Sequence, residues 1–300
     1  MAVILALLAA AANALATVLQ RIGVEEAGQD SGSLMANVVR RPIWFAGLSL
    51  TTASFLLQAV ALSVGDLSTV QPVMVTEILF LLLILGLWFR QTLGWREWLG
   101  AAGTATGLGV FLAVSAATPG HERPGRLDWF LLLTATAGGV VVSTLAAQRG
   151  PRAFRAAAYG VGGGVSFALT AAFIKMVAVI WPRGIVSVAT HWQTYGIAVT
   201  GLLGLVLAQH ALEAGPVAAS QSALLVANPI SSIVMGVWLF GDHLHAEGSR
   251  LPVELAGLSV MFAFLLILAS SPLIAAGTGE QQLSAGRPPL GQNLVHEEVT

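Results

Sequence analysis

The chain contains no cysteine, which excludes disulfide staples, thiol nucleophiles and thiolate metal sites together and leaves the redox compartment open. Charge is nearly as scarce. Only 10% of the 300 residues are Asp, Glu, Lys or Arg, against roughly 25% in a soluble domain, so the sequence cannot clothe a water-soluble globule. The 14 Lys and Arg are offset by 15 Asp and Glu, a net charge of −1, and no basic excess points to nucleic acid. What fills the chain is apolar: 56% of residues are hydrophobic. Crossing ~30 Å of hydrocarbon takes about 20 apolar residues of helix, so this length supplies on the order of ten spans with little left for soluble domains.

Long apolar runs bounded by charge, Pro or Gly predict spans at Ala2 to Leu19, Pro42 to Ser63, Leu67 to Phe89, Trp98 to Ala116, Asp128 to Gln148, Ala156 to Trp181, Gln193 to Leu212, Val217 to Phe240 and Pro252 to Ala275. The fold class is therefore an all-α polytopic membrane protein of nine transmembrane helices. The count becomes ten if the stretch from Arg21 to Arg41 crosses; Glu25, Glu26 and Asp30 interrupt it, and a short amphipathic or half-inserted helix is the alternative. The eight Trp residues all fall near proposed span ends, where an amphipathic ring prefers the headgroup level. Residues 276–300, rich in Gly, Gln, Ser and Pro, read as a disordered tail.

Short loops rich in Lys and Arg resist translocation. Arg21, Arg40, Arg41, Arg90, Arg96, Arg149, Arg152, Arg155 and Arg287 share one side of the predicted topology, and only Arg123, Arg126, Arg183 and Arg250 the other. The first side is expected to be cytoplasmic, with the C-terminus inside and the protein in the cell (inner) membrane. A cleaved signal peptide is the rival reading of the first segment, because Ala14-Leu15-Ala16 has the small-x-small form, but the positively charged start is missing.

Sliding the sequence against itself by about 150 residues matches Ala61-Leu62 with Ala211-Leu212, Gly65 with Gly215, Gln71 with Gln221, Gly86 with Gly236 and Trp88 with Trp238. The matched spans lie five crossings apart, an odd number, so the copies run in opposite directions. Two inverted repeats, residues 1–127 and 128–275, are expected. Such repeats build many secondary transporters, with the site near the midplane where the halves meet.

Ala211-Leu212-Glu213-Ala214-Gly215, then Asn228-Pro229 in the following span, then Leu239-Phe240-Gly241-Asp242-His243, resembles the EamA-like helical repeat of the drug/metabolite transporter superfamily. That resemblance implies export of a metabolite, amino acid or drug. The family has five helices per half, whereas the first half here lacks a complete second helix between Arg21 and Arg41, a departure that resembles the NIPA-type magnesium transporters. Leu79 also stands where the repeat would put proline.

Glu77 and Lys175 are the formally charged residues well inside predicted spans, where an ion costs at least ~2.5–3.5 kcal/mol on insertion scales. Glu77 is a candidate for binding a proton or a cationic substrate group. Lys175 is read as its partner, as an anion contact, as half of a neutralising pair between halves, or as a side chain that snorkels to the interface. Gln58, Gln71, Gln209, Gln221 and Asn228 need partners in lipid and are candidate substrate contacts or interhelical hydrogen-bonders. Pro72 and Pro229 are expected to break or kink their helices and free a carbonyl. Gly103 with Gly107, and Gly160 with Gly164, have the spacing of close helix contacts. The loop Asp242 to Glu247 holds two histidines without helical metal-ligand spacing and reads as solvated, so neither metal nor cofactor is expected.

The reading that results is a secondary transporter, an exporter of a small molecule by alternating access, coupled to protons through Glu77 if coupled at all. A divalent cation (Mg²⁺) transporter is the alternative, lowered by the single deep carboxylate. A non-transporting membrane scaffold is the third. An enzyme is not expected, because no nucleophile with its base lies inside the spans. Expected partners are a small-molecule substrate and the lipid bilayer; the oligomeric state is open.

Overall fold

A computed structural model describes residues 1–28, 41–89, 93–114, 124–242 and 250–271. A backbone inside hydrocarbon has no water to bond and must satisfy its own N–H and C=O groups, so apolar runs of this length fold as helices. They are α1 (Ala2–Gly28), α2 (Pro42–Val64), α3 (Leu67–Met74), α4 (Glu77–Leu87), α5 (Trp95–Val114), α6 (Arg126–Ala146), α7 (Arg152–Ile180), the short α8 (Ile185–Thr190), α9 (Trp192–Ala214), α10 (Val217–Met235) and α11 (Arg250–Ala269). Among the described residues no strand occurs. Among the described residues nine segments are long and apolar enough to cross a membrane, with α3 and α4 forming one and α10 with its continuation to Phe240 another. The chain is a multi-pass membrane protein.

The span boundaries predicted from hydropathy agree with these helices to within a few residues, except at two ends. At the first, α1 continues past Leu19 to Gly28, carrying Arg21 and Glu26. Charges do not stop a helix whose end has left the apolar layer, and Glu26 is exposed there and 4.0 Å from Arg41. The remainder of the expected half-inserted stretch, the His243 to Glu247 loop and the tail lie outside the described residues. At the second, α11 is shorter than its predicted span and ends at Ala269.

Glycines set how closely the bundle packs. Helices α5 and α11 run antiparallel, with Gly100 against Leu268, Gly103 against Phe264, Gly107 against Met261 and Gly257 against Phe111. A Cβ on Gly107 would collide with the Met261 amide nitrogen and lie 2.7 Å from the Gly257 carbonyl oxygen, so the backbones themselves are in contact. On α7, a Cβ at Gly160 would lie 2.5 Å from the Ser220 carbonyl oxygen, and one at Gly164 2.9 Å from the Asn228 nitrogen, both on α10. Both glycine pairs singled out by spacing thus line helix seams.

The α1–α2 and α7–α9 pairs are joined at corresponding positions. Gly65 touches Ala2, and Gly215 touches Arg152, each partner 150 residues on from its counterpart. Gln20 Nε2 donates to Thr51 Oγ1 at 2.8 Å between α1 and α2, and the Thr170 and Thr200 hydroxyls share a 2.8 Å hydrogen bond between α7 and α9.

Backbone contact at Gly107 leaves no room for a branched side chain, so Gly107→Val is expected to cost about 1–3 kcal/mol or more by overpacking. A methyl group added at Gly109 would meet nothing within 4 Å, and Gly109→Ala should be neutral or stabilising through helix propensity. Thermal melting of the two purified variants in detergent checks the contrast.

Candidate functional site

The connection from α2 to α3 is Gly65-Asp66, which leaves Asp66 as the N-cap residue of α3 with extended backbone (φ −79, ψ 145) but no capping bond from its side chain. Across the bundle, α10 widens into a π turn at Gly236–Phe240 and ends on Gly241 at φ 64, a left-handed conformation that suits glycine. This hooked end aims Asp242 back at α3. Its nitrogen donates to the Gly236 carbonyl at 3.0 Å, and its Oδ2 accepts from the Ser68 backbone N–H at 3.0 Å.

Asp242 Oδ1 accepts from Lys175 Nζ at 3.2 Å. Lys175 stands five residues before Ile180, the last residue of α7. Its ammonium also lies 4.0 Å from Asp66 Oδ1 and 4.5 Å from the centre of the Phe240 ring, a cation–π contact. Asp242 is 2% exposed and Lys175 and Asp66 are each 9% exposed, so this is a buried ionic link tying α3, α7 and the end of α10 together. Gly236 makes the approach feasible: a Cβ there would lie 3.0 Å from the Ser68 nitrogen and 2.5 Å from Asp242 Oδ2. Beside the link, Trp129 stacks on Phe173 (5.2 Å, 9°), with Trp192 edge-on to both. Trp129 sits at the start of its span as expected of an interfacial ring, yet is buried; Trp95, Trp98 and Trp181 are exposed.

Deeper in the layer, the third span is discontinuous. Pro72 cannot donate to the carbonyl one turn earlier, and Val75 and Thr76 bond back only three residues, to Pro72 (3.2 Å) and Val73 (3.0 Å). Helix α3 therefore ends at Met74 and α4 begins anew at Glu77. Glu77 is ten residues from either end of the Leu67–Leu87 span, about 15 Å of helix rise each way. It occupies the first turn of α4, where the Ile78 and Leu79 amides bond back three residues to the Val75 and Thr76 carbonyls, and it interacts with the Asn13 side chain on α1.

Because Ser68 meets Gly236, α3 and α10 run antiparallel from that point. Among the described residues, Gln71 is 3% exposed with an unpartnered Nε2, Ser232 is 0% exposed with an unpartnered Oγ, and Asn228 Oδ1 is buried without a partner. By that register Gln71 and Ser232 fall at the crossing of the third span with α10, and Asn228, one turn further along α10, has its backbone against Gly164 of α7.

Other expected residues lie elsewhere. Gln209 is exposed on the bundle's outer surface, Gln58 is partly buried on α2, and Gln221 lies one turn into α10 at the end opposite Gln71. Of the break or kink expected at Pro229, a break does not occur: α10 is continuous through it, and the irregularity comes at Gly236. A proline removes one donor and bends a helix, whereas the bonds of its neighbours persist. Lys175 does form an ion pair, but with Asp242 and Asp66. Sequence reasoning missed those two because each lies just outside a hydropathy-defined span, where a charge passes for solvated. For Asp66 the signal was the two-residue connection Gly65-Asp66, and for Asp242 its place directly after Gly241 at the end of the π turn; each holds its side chain at the rim of the helices. Glu97, which receives a short hydrogen bond from Ser271 at the α5–α11 seam, was missed for the same reason; the fully buried Glu254 was missed because it stands at the start of its span, where a charge passes for interfacial.

No family model and no solved structure matches the chain. It is similar to an uncharacterized protein of Corynebacterium glutamicum, 27% identical over 255 residues, which cover 84% of this chain and 87% of that protein.

Removing one partner of a buried ion pair leaves the other uncompensated, at a cost of about 3–5 kcal/mol. Lys175→Met should therefore lower stability by roughly that amount, and Lys175→Met/Asp242→Asn should recover much of it. Thermal unfolding of the single and double variants measures the difference; equal losses would disprove the coupling.

Proposed function

We propose that this protein is a secondary transporter that exports a small metabolite, amino acid or drug by alternating access, with Glu77 carrying the coupling proton. The observation that carries the reading is the break at Val75–Thr76, which sets Glu77 at the start of a half-helix midway across the apolar layer. Discontinuous spans are the usual way a transporter places polar groups at the midplane, since irregular backbone is tolerated there only where it is buried in protein or lines a cavity. An ionisable residue at that depth marks a substrate or proton path by default. Gln71, Asn228 and Ser232 add hydrogen-bonding atoms that no group among the described residues satisfies, which suits a polar solute passing between α3 and α10.

The matched contacts of α1–α2 and α7–α9 support an inverted duplication. They make α1 the counterpart of α7. The counterpart pairs α3 with α10 and α5 with α11 then pack against each other, as elements around a two-fold axis in the membrane plane would. By the arginine asymmetry, the end holding Asp66, Lys175 and Asp242 faces outward and the C-terminus lies in the cytoplasm. The resemblance to EamA-like repeats gives the solute class and direction.

Proteoliposomes loaded with a pH dye test the reading, with wild type and Glu77→Gln challenged by amino acids, lipophilic cations and Mg²⁺. Solute-dependent proton flux is expected in wild type and should fall at least about tenfold, toward the empty-liposome rate, in a well-folded Glu77→Gln protein. Equal solute movement in both would make Glu77 structural. No movement in either would remove the transporter reading.

A further inference from the structure

We propose that Asp66 and Asp242 exchange the N-cap of α3, and that this exchange is the switch opening and closing the end of the bundle where they lie. The first amides of a helix have no intrahelical acceptor, and an N-cap side chain answers them by accepting from the second or third helical residue. Asp66 is an N-cap of a favoured type with the extended backbone that capping requires, yet its side chain makes no cap bond. It is turned toward Lys175 at 4.0 Å. The acceptor for Ser68, the second residue of α3, is instead Oδ2 of Asp242, 174 residues away at 3.0 Å. A remote carboxylate occupies the place that the local one is built to fill.

Every group in this cluster has a partner in a second arrangement as well. If the Gly236–Asp242 hook draws away from α3, Lys175 and Asp242 keep their 3.2 Å bond, because α7 and the hook are on the same side of the parting surface. Asp66 loses its longer contact with Lys175 and, by a side-chain rotation, accepts from the Ser68 amide that Asp242 has left. The separation exposes no uncapped helix start and no lone buried charge. Two arrangements of comparable energy are what a gate needs, since strongly unequal ones would hold it in one state. The proposal deepens alternating access and rests on it for the need to open this end. Its test reads accessibility instead of flux, so failure of the switch and failure of transport are told apart.

The absence of cysteine makes a single introduced thiol a clean reporter. Ser232→Cys suits this: the position is 0% exposed, its hydroxyl has no partner, and it lies one turn below the Gly236–Ser68 contact. The labelling rate by a charged, water-soluble maleimide would be measured in lipid nanodiscs, where both faces are reachable. Into that background go Asp66→Asn, Asp66→Ser and Asp66→Ala. All three remove the attraction to Lys175, but Asn and Ser can cap α3 and Ala cannot. Cap exchange requires Asn and Ser to label alike and about fivefold faster than Ala, the ratio that a typical cap contribution sets. Should Asp66→Ala not purify as a monodisperse protein, Asp66→Val, equally unable to cap, replaces it. A simple ionic lock would give one common rate for all the variants, and that result, or Ala labelling as fast as Asn, overturns the proposal.

Discussion

The ammonium of Lys175 is held inside the protein at the edge of an apolar layer, and the surrounding architecture is arranged to answer it. A charge in hydrocarbon finds no water and no counterion, so its compensation must come from the chain itself. Here it comes from a π turn and a left-handed glycine that bend the end of α10 inward, a two-residue connection that keeps Asp66 at the rim of α3, and a phenylalanine ring beneath. Because the two carboxylates belong to segments far apart in sequence, the link does what helix propensity cannot. It sets the register of α3 against α10, and that register decides which residues of the broken span face the crossing.

The nine spans were legible because hydropathy and helix length report the same constraint, the thickness of the layer. Glu77 and Lys175 were legible for the same reason, as charges in runs that should have none. What the sequence hid was pairing. Asp66 and Asp242 sit one or two residues beyond an apolar run, and only the two-residue Gly65-Asp66 connection and the left-handed turn at Gly241 make them interior. The extension of α1 to Gly28 was hidden in the converse way: Glu25 and Glu26 break the apolar pattern but not the helix, since hydrogen bonding continues past the point where hydrocarbon ends. Prolines were ambiguous in both directions. Pro72 precedes a true break because Val75 and Thr76 adopt tight turns after it, whereas Pro229 is absorbed into a continuous helix.

The seams and the polar crossing play opposite parts. Where α5 meets α11, and where α7 meets α10, glycines bring backbones into contact, and such surfaces resist sliding because any displacement drives atoms into one another. Between α3 and α10 the contact at the rim is ionic, and below it Gln71 and Ser232 are buried with polar atoms unanswered. This interface also buries Leu67, Val70 and Val73 in the same apolar core as Ile233, Leu239 and Phe240, so what sets it apart from the glycine seams is the ionic link and the polar atoms added to its apolar packing.

Unanswered buried polar atoms also bear on purpose. Each costs on the order of 1–3 kcal/mol relative to a satisfied one, and apolar residues of similar size would remove the cost in a bundle serving only as a scaffold. Gln71 and Ser232 fall at the crossing, and Asn228 one turn further along α10, beside a helix interruption that itself gives up regular hydrogen bonds. A scaffold gains nothing from either feature. A protein that must release a polar solute after binding it gains from the unanswered atoms, because a site fully satisfied by its own side chains has no bonds to offer, and a tightened turn at midspan sets a carboxylate beside them.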